Sequence, residues 1–185
     1  FFLINKEMEK YGAIALTGQG IAANINSLCF NLPSSIGTAV TTMISINMGL
    51  KNIKKSKKIF TYSWITSVVI AALTIILIVP LNHHMISLFT RNEEVAVIAD
   101  NALNIFTYSI IGFGIFTVCQ GVYVALGKNN IPLIMSILRI WLFRYAFILL
   151  TQKFLGLYSI FWGNLFSNTA AGILFFYLVK TLDWE

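Results

Sequence analysis

The hydrophobic positions of the chain form long runs that are close to the length of a membrane-spanning helix. Such a helix needs about 20 mostly apolar residues to cross a hydrocarbon core of about 30 Å. Runs of this kind predict helices over residues 59–81, 102–127, 131–151 and 155–180. Pro80 lies at the end of the first run, and we expect residues 82–101 to form the longest connection outside the membrane. The pattern therefore predicts an all-α integral membrane protein.

The first apolar region, residues 11–50, is longer and more polar than the others. It carries no charged residue, but it contains amide side chains at Gln19, Asn24, Asn26, Asn31 and Asn47. As one helix at 1.5 Å per residue it would be about 60 Å long, twice the hydrocarbon core. Pro33 and Gly37 lie in its middle, and we predict one long helix that bends there and projects beyond the membrane. Two separate spans are the alternative, although no charged turn divides the halves.

The first residues of the chain are apolar and are followed directly by a charged segment. This order is not that of a secretory signal, in which a basic segment precedes an apolar one. It is typical of the end of a helix that continues from an earlier part of a longer protein. The sequence therefore predicts five full transmembrane helices preceded by the stub of a sixth.

The composition excludes several classes of protein. Hydrophobic residues make up 57% of the 185 residues and charged residues 11%, with a mean hydropathy of +0.78. In soluble domains, hydrophobic residues make up about 45–50% and charged residues about 25%. A short chain cannot bury so much apolar surface in its own core, because a folded domain of about 150 residues still exposes about a third of its unfolded surface. Soluble enzymes, secreted disulfide scaffolds and disordered chains are therefore excluded.

The net charge of +6 is concentrated in a short basic loop, residues 51–58, which contains five lysines. By the positive-inside rule, we expect this loop and the C-terminus to be cytoplasmic, in a multi-pass protein of the cell membrane. Each lysine near an anionic leaflet adds about 1 kcal/mol of attraction, so membrane lipid is an expected partner. Nucleic acid is not expected, because no aromatic residues alternate with these lysines on a polar surface.

Residue types that carry catalytic chemistry are sparse. All seven acidic residues lie in loops or near helix ends, and no span contains paired carboxylates or a Ser/His/Asp set. Asp100 comes nearest to a span, where the helix dipole favours a negative charge. His83 and His84 are adjacent and point in different directions, while Cys29 and Cys119 are interpreted as small apolar residues. We therefore predict no enzyme activity, no metal site and no cofactor.

Arg139 and Arg144 place positive charges inside the predicted span of residues 131–151, which is the fourth when the region 11–50 is counted as the first. A charge there costs at least about 2.5–3.5 kcal/mol, so it usually faces protein or water. Arg139 lies about 13 Å into its span, near the midplane, and could bind an anionic group of a substrate or pair with a carboxylate of another helix. A structural role, bonded to backbone carbonyl groups of a neighbouring helix, is the alternative. Arg144 is nearer the outer end and can extend to the membrane surface.

Polar side chains within the spans are candidates for the wall of a substrate cavity. They are Asn24, Asn26, Asn31, Gln120, Tyr123, Arg139, Asn164 and Asn168. Asn164 and Asn168 are four residues apart and share a helix face. Gln19, Asn26 and Asn31 are expected to fall within a broad arc on a partly shared helix face, with Asn24 to one side. Such groups could line a cavity for a drug-like cation, and hydrogen bonds between helices are the alternative.

Several short motifs follow one another along the chain. The first region contains residues 21–28, residues 32–39 with the Pro33 and Gly37 pattern, and residues 46–52. The third span ends in residues 121–128 with Pro132 following, and residues 155–162 lead into the last span. In this order and spacing, the motifs resemble those of the multidrug and toxic compound extrusion (MATE) family. Ile46 and Ala125 replace a glutamine and a glycine of the family pattern.

The resemblance implies that the chain forms most of the C-terminal six-helix lobe of a twelve-helix transporter. Such transporters export organic compounds, often cationic, in exchange for Na⁺ or H⁺ by rocking two lobes. Small organic substrates and the N-terminal lobe, which we expect to lie outside this sequence, are implied partners. Some branches of the family carry a carboxylate at the position of Gly114 here. The coupling ion is therefore expected to bind in the N-terminal lobe.

Two other functions remain open. A lipid-linked oligosaccharide flippase of the related superfamily is one, but it would favour several basic residues for a diphosphate, and the chain offers Arg139 alone near the midplane. A non-transporting membrane module is the other. Such a module would need neither a bent polar helix nor an arginine within the membrane.

Overall fold

The computed structural model describes residues 2–184, with side chains from Ile4 onwards, and all regular structure in this part of the chain is helical. The predicted all-α fold is therefore confirmed. The helices are α1 (Phe2–Glu9), α2 (Gly12–Gly49), α3 (Ile53–Ser87), α4 (Glu93–Ala125), α5 (Asn130–Ile137), a π-helical segment (Leu138–Tyr145), α6 (Ala146–Leu155) and α7 (Tyr158–Lys180).

Helix α2 is a single helix of 38 residues with Pro33 inside it. The interpretation as one long element is confirmed, and the alternative of two separate spans is wrong. Its buried positions recur every three or four residues, as expected for one helix face turned towards the core; they include Ala22, Ile25, Cys29, Pro33, Gly37, Val40 and Ile44. The bend at Pro33 and Gly37 stays a prediction.

Helices α3 and α4 are longer than predicted. The connection expected over residues 82–101 is wrong for most of its length, because α3 continues to Ser87 and α4 begins at Glu93. Pro80 does not end α3, since the turn beyond it packs against α4. There Asn82 is 1% exposed and donates a hydrogen bond to Asn104 Oδ1 at 2.7 Å. The connection that remains is residues 88–92.

The fourth predicted span, residues 131–151, corresponds to a continuous stretch of α5, the π-helical segment and α6. In a π-helix the backbone bond joins residues i and i+5, which is rare and occurs often at functional sites. Arg139 is the second residue of this segment, and Arg144 is near its end. The sequence did not predict the π-helical geometry.

Helix α4 lies at the centre of the bundle and packs against α2, α3 and α7. Two large apolar cores and a small third one, which consists of Cys29, Ala71 and Ile110, surround it. The core near α1 contains Met8, Phe106 and Phe161, and the core near the opposite end contains Phe116 and Phe175. The second core also includes Phe60 of α3, whose ring lies 6.2 Å from that of Trp184. Residues 53–58 are the first part of α3, so most of the predicted basic loop is helical. This basic segment, residues 51–58, and the end of the chain lie at the same end of the bundle, as predicted.

Within residues 2–184, three helical stretches are long and apolar enough to cross a membrane by length and composition: Ile53–Ser87, Glu93–Ala125 and Asn130–Leu155. Helices α2 and α7 have 38 and 23 residues but are not apolar enough by the same measure. Membrane crossing by these two helices stays a prediction.

Candidate functional site

A cleft of about 510 Å³ lies between α2 and the start of the π-helical segment, with α4 as its floor. The α2 wall includes Ser34, Thr38 and Thr42; the floor includes Phe113, Phe116 and Gln120; and Ser136 and Arg139 form the far wall. Thr41 connects wall and floor, because its hydroxyl donates to the Gly121 carbonyl oxygen at 3.3 Å. The cleft therefore combines hydroxyl, aromatic and cationic surfaces.

The side of α2 opposite its buried face carries a continuous row of exposed polar residues. We call this row the polar face of α2, and it comprises Asn24, Ser27, Asn31, Ser34, Ser35, Thr38, Thr42 and Ser45. At 3.6 residues per turn these positions fall within an arc of about 100°. If α2 crosses the membrane, a polar row of this kind is less costly towards protein or a water-filled cavity than towards lipid.

Most hydroxyl groups of this face already donate their hydrogens to backbone carbonyl groups of α2. Ser34 donates to the Phe30 carbonyl oxygen at 3.0 Å, and Thr38 donates to that of Ser34 at 3.2 Å. Ser35 and Thr42 make the same kind of bond one turn back along the helix. Each hydroxyl oxygen keeps lone pairs that can accept a hydrogen bond. The α2 wall of the cleft therefore presents mainly acceptors.

The far wall of the cleft presents donors, from Arg139. Its Nη1 donates to Asn168 Oδ1 at 2.7 Å, and Asn168 Nδ2 in turn donates to Asn164 Oδ1 at 3.1 Å. The guanidinium carbon lies 4.9 Å from the centre of the Phe116 ring and 5.3 Å from that of Phe113. Helix α7 thus holds Arg139 through two amides, and α4 supports it with two rings.

The candidate cavity residues outside α2 divide into three groups. Gln120 and Arg139 line the cleft, and Asn164 and Asn168 contact it only through Arg139. Tyr123 is 3% exposed, and its hydroxyl donates to the Leu178 carbonyl oxygen at 3.1 Å. This is a hydrogen bond between helices, the alternative to a place in the cavity wall.

The amides of α2 are arranged differently from the expected grouping. Asn24 and Asn31 share the exposed polar face, whereas Gln19 and Asn26 are buried on the opposite side, so the arc expected to contain Gln19, Asn26 and Asn31 is wrong. The buried Oδ1 of Asn26 has no hydrogen-bond partner among the described residues. Sequence reasoning missed the cleft hydroxyls, although a period of three to four residues in the Ser, Thr and Asn positions of residues 24–45 marks them.

Gly114 occupies the position at which some branches of the MATE family carry a coupling carboxylate, and this position is closely packed. Gly114 is buried in α4, and a Cβ atom there would collide with Ser67 Oγ of α3. Elsewhere, Asn104 donates to Asp100 Oδ2 at 3.2 Å, and His83 and His84 are exposed. Residues 2–184 contain no group of three His, Cys, Asp or Glu side chains that could hold a metal ion.

A central helix surrounded by long apolar helices, with a polar-faced helix beside a cleft, defines the lobe of a helical membrane transporter. Comparison with known proteins identifies the family. Residues 1–150 match the family model MatE, and the chain belongs to this family, whose members are transporters rather than enzymes.

Curated relatives are similar over only part of their length. The chain is 27% identical over 131 residues to the "Probable multidrug resistance protein YoeA" of Bacillus subtilis, covering 71% of this chain and 28% of that protein. It is 28% identical over 146 residues to the "Probable multidrug resistance protein NorM" of Buchnera aphidicola, covering 78% of this chain and 32% of that protein. The chain therefore spans about a third of the length of these relatives.

A solved structure shows the same fold. The Vibrio cholerae MATE transporter VcmN in the bent form superposes with a TM-score of 0.90 at 21% sequence identity, over 97% of this chain and 41% of that one. The described helices therefore correspond to one lobe of such a transporter.

Proposed function

We propose that this chain is one lobe of an exporter that moves organic compounds across the cell membrane by alternating access. The polar face of α2 beside the cleft carries this proposal. An exposed row of hydroxyls and amides on a membrane helix is less costly towards protein or water than towards lipid. In transporters built from two repeats, substrate sites lie between the repeats near the midplane. The polar face of α2 is suited to such a shared cavity, opposite a second lobe of the same protein.

Export against a gradient requires an energy source, and we propose coupling to the entry of Na⁺ or H⁺. Intramembrane acids commonly carry such coupling. The residues that line the cleft include no acid, and a side chain at Gly114 would require Ser67 to move. The coupling ion would therefore bind in the other lobe.

The orientation proposed is that of the positive-inside rule. The basic segment, residues 51–58, and the end of the chain lie at one end of the bundle and would both be cytoplasmic, in contact with anionic lipid. The flippase alternative is less favoured, because a diphosphate would require several basic residues and the cleft wall offers Arg139.

The test is efflux by the full-length transporter in cells that lack their main exporters. Fluorescent organic dyes should leave cells that express the wild type, and efflux should stop when the ion gradient is dissipated. Thr38→Leu adds an apolar side chain inside the cleft and should lower efflux by about tenfold, which corresponds to about 1.4 kcal/mol.

Ala39→Leu is the matched control, since Ala39 is the next residue of α2, is exposed and does not line the cleft. This variant should export dye like the wild type when membrane levels are equal. Absence of efflux for a panel of dyes, with normal membrane insertion, would contradict the proposed function.

A further inference from the structure

We infer that Arg139 binds a carboxylate of the transported compound, so that the cleft selects organic compounds with an acidic group over compounds that carry only a positive charge. This inference rests on the proposed function, because it names the substrate class of the same cleft. It differs from the expectation of mainly cationic substrates, which came from the family resemblance alone.

The first argument is the incomplete set of partners around Arg139. A guanidinium has five N–H donors. Among the described residues, Asn168 Oδ1 accepts one of them at 2.7 Å, while Nε is buried without a partner. Arg139 lines the cleft, and the Nη donors that Asn168 does not use match the two oxygens of a carboxylate, which arginine binds with two parallel hydrogen bonds.

The second argument is charge. Arg139 is the charged residue of the cleft lining, which contains no Asp or Glu. The ion pair found within the described part of the chain joins Lys10 and Glu7, outside the cleft. A positive charge near the membrane midplane is costly unless an anion or water compensates it. An anionic group in the cleft would supply the missing compensation, whereas a cation would be repelled.

The third argument is the surroundings of the guanidinium. The rings of Phe113 and Phe116 lie beside it, with their centres 5.3 and 4.9 Å from the guanidinium carbon, and both rings line the cleft. Phe116 is 1% exposed and the Phe113 ring is stacked on that of Phe30, with centres 4.4 Å apart, so the two rings hold the guanidinium in place at the cleft wall. A carboxylate of a bound compound would meet the guanidinium there. On the opposite wall, the acceptor oxygens of Ser34 and Thr38 could bind N–H groups of the same compound. The cleft thus has a cationic wall, an aromatic floor and an acceptor wall.

The experiment uses purified full-length transporter in lipid nanodiscs and two rhodamine dyes. One dye has a free carboxylate, and the other is its methyl ester, so that the two differ in this group alone. Fluorescence anisotropy gives the Kd of each. We expect the wild type to bind the acid at least about tenfold more tightly than the ester, a difference of about 1.4 kcal/mol.

Two variants test the role of Arg139, and one is a control. Arg139→Gln should weaken binding of the acid about tenfold or more and leave the ester unchanged. Asn168→Asp would give Arg139 an internal carboxylate and should abolish the preference even if Arg139→Gln fails to fold. Arg144→Gln removes the same kind of charge five residues further along, outside the cleft lining, and should keep the preference.

Equal affinity of the wild type for both dyes, or an equal loss of both in Arg139→Gln, overturns the inference. A preference for the acid that appears only in nanodiscs without anionic lipid also overturns it, because a lipid phosphate then occupies Arg139. Transport in proteoliposomes separates the two proposals. If the protein binds the acid selectively but an ion gradient drives no transport, the proposed function is contradicted and the inference about Arg139 stands. If it transports the acid and the ester equally well, the inference is contradicted and the proposed function stands.

Discussion

Glycine residues set the distance between the backbones of α2 and α4. A Cβ atom on Gly121 would lie 2.5 Å from the Gly37 carbonyl oxygen, and one on Gly37 would lie 2.7 Å from that of Thr117. The Thr117 hydroxyl donates to the Pro33 carbonyl oxygen at 3.1 Å. The two helices therefore approach each other through small residues and a side-chain bond, as is common between membrane helices.

Gly121→Ala should destabilise the lobe, because the added methyl group forces these backbones apart. Overpacking of this kind costs about 1–3 kcal/mol, and we expect the Tm of the purified full-length protein to fall. Gly20→Ala is the matched control, since a Cβ atom at Gly20 in α2 meets nothing within 4 Å. Alanine is the better helix former, so this control should keep or raise Tm. An unchanged Tm in Gly121→Ala would show that the helices separate without cost.

For individual residues, the sequence identified candidate polar residues but did not predict their hydrogen-bond partners. Arg139 was recognisable because a charge within a span is costly. Its bond to Asn168 was not, because it depends on how α7 is rotated against the π-helical segment. The expectation of backbone carbonyl partners for Arg139 is wrong for its Nη1, which bonds an amide side chain.

Individual helices begin where side chains satisfy free backbone N–H groups. Asn92 Oδ1 accepts hydrogen bonds from the N–H groups of Glu94 at 3.0 Å and Val95 at 3.3 Å, at the start of α4. Glu93 and Glu94 add negative charge to the first turn, where the helix dipole favours it. This cap explains why α4 begins at Glu93 and not at the first apolar residue.

Asn92→Ala should fray the first turn of α4. Loss of an N-cap costs about 1 kcal/mol, so backbone amides of residues 93–96 should exchange with deuterium faster in hydrogen-exchange mass spectrometry. Asn92→Ser keeps an acceptor at this position and should retain the slow exchange. Identical exchange in the alanine variant and the wild type would mean that packing of Val95, which is 6% exposed, is sufficient to hold this turn.

The elements were predictable from their apolar runs, but their ends were not. Runs of apolar residues located every long helix, because lipid and core both require apolar side chains. The ends of α3 and α4 depend on the Asn82 and Asn104 contact and on the Asn92 cap. The π-helical segment depends on packing against α7, which no local pattern encodes.

Across the whole molecule, the basic residues and the contacts between helix ends identify the same group of segments at one end of the bundle. Lys128, after α4, donates to the Asp183 carbonyl oxygen at 3.5 Å, so this turn and the end of the chain are neighbours. The basic segment, residues 51–58, lies at the same end, near Trp184. The positive-inside rule therefore predicts one cytoplasmic surface formed by all three segments.

Single cysteines can test this orientation in intact cells. Lys54→Cys, in the first turn of α3, should react with a membrane-impermeant maleimide only after permeabilisation. Arg91→Cys, in the connection between α3 and α4, should react in intact cells; both native side chains are exposed. The native cysteines Cys29 and Cys119 are buried and should give little background. The reverse labelling pattern would invert the proposed orientation.

The polar face of α2 also affects how the protein reaches the membrane. A segment leaves the translocon for lipid when its apolar side chains outweigh its polar ones, and α2 is not apolar enough by composition to do so alone. Its most extensive packing is with α4, which is synthesised later. We therefore expect α2 to wait beside the translocon until α4 emerges, and the two helices to enter the bilayer together.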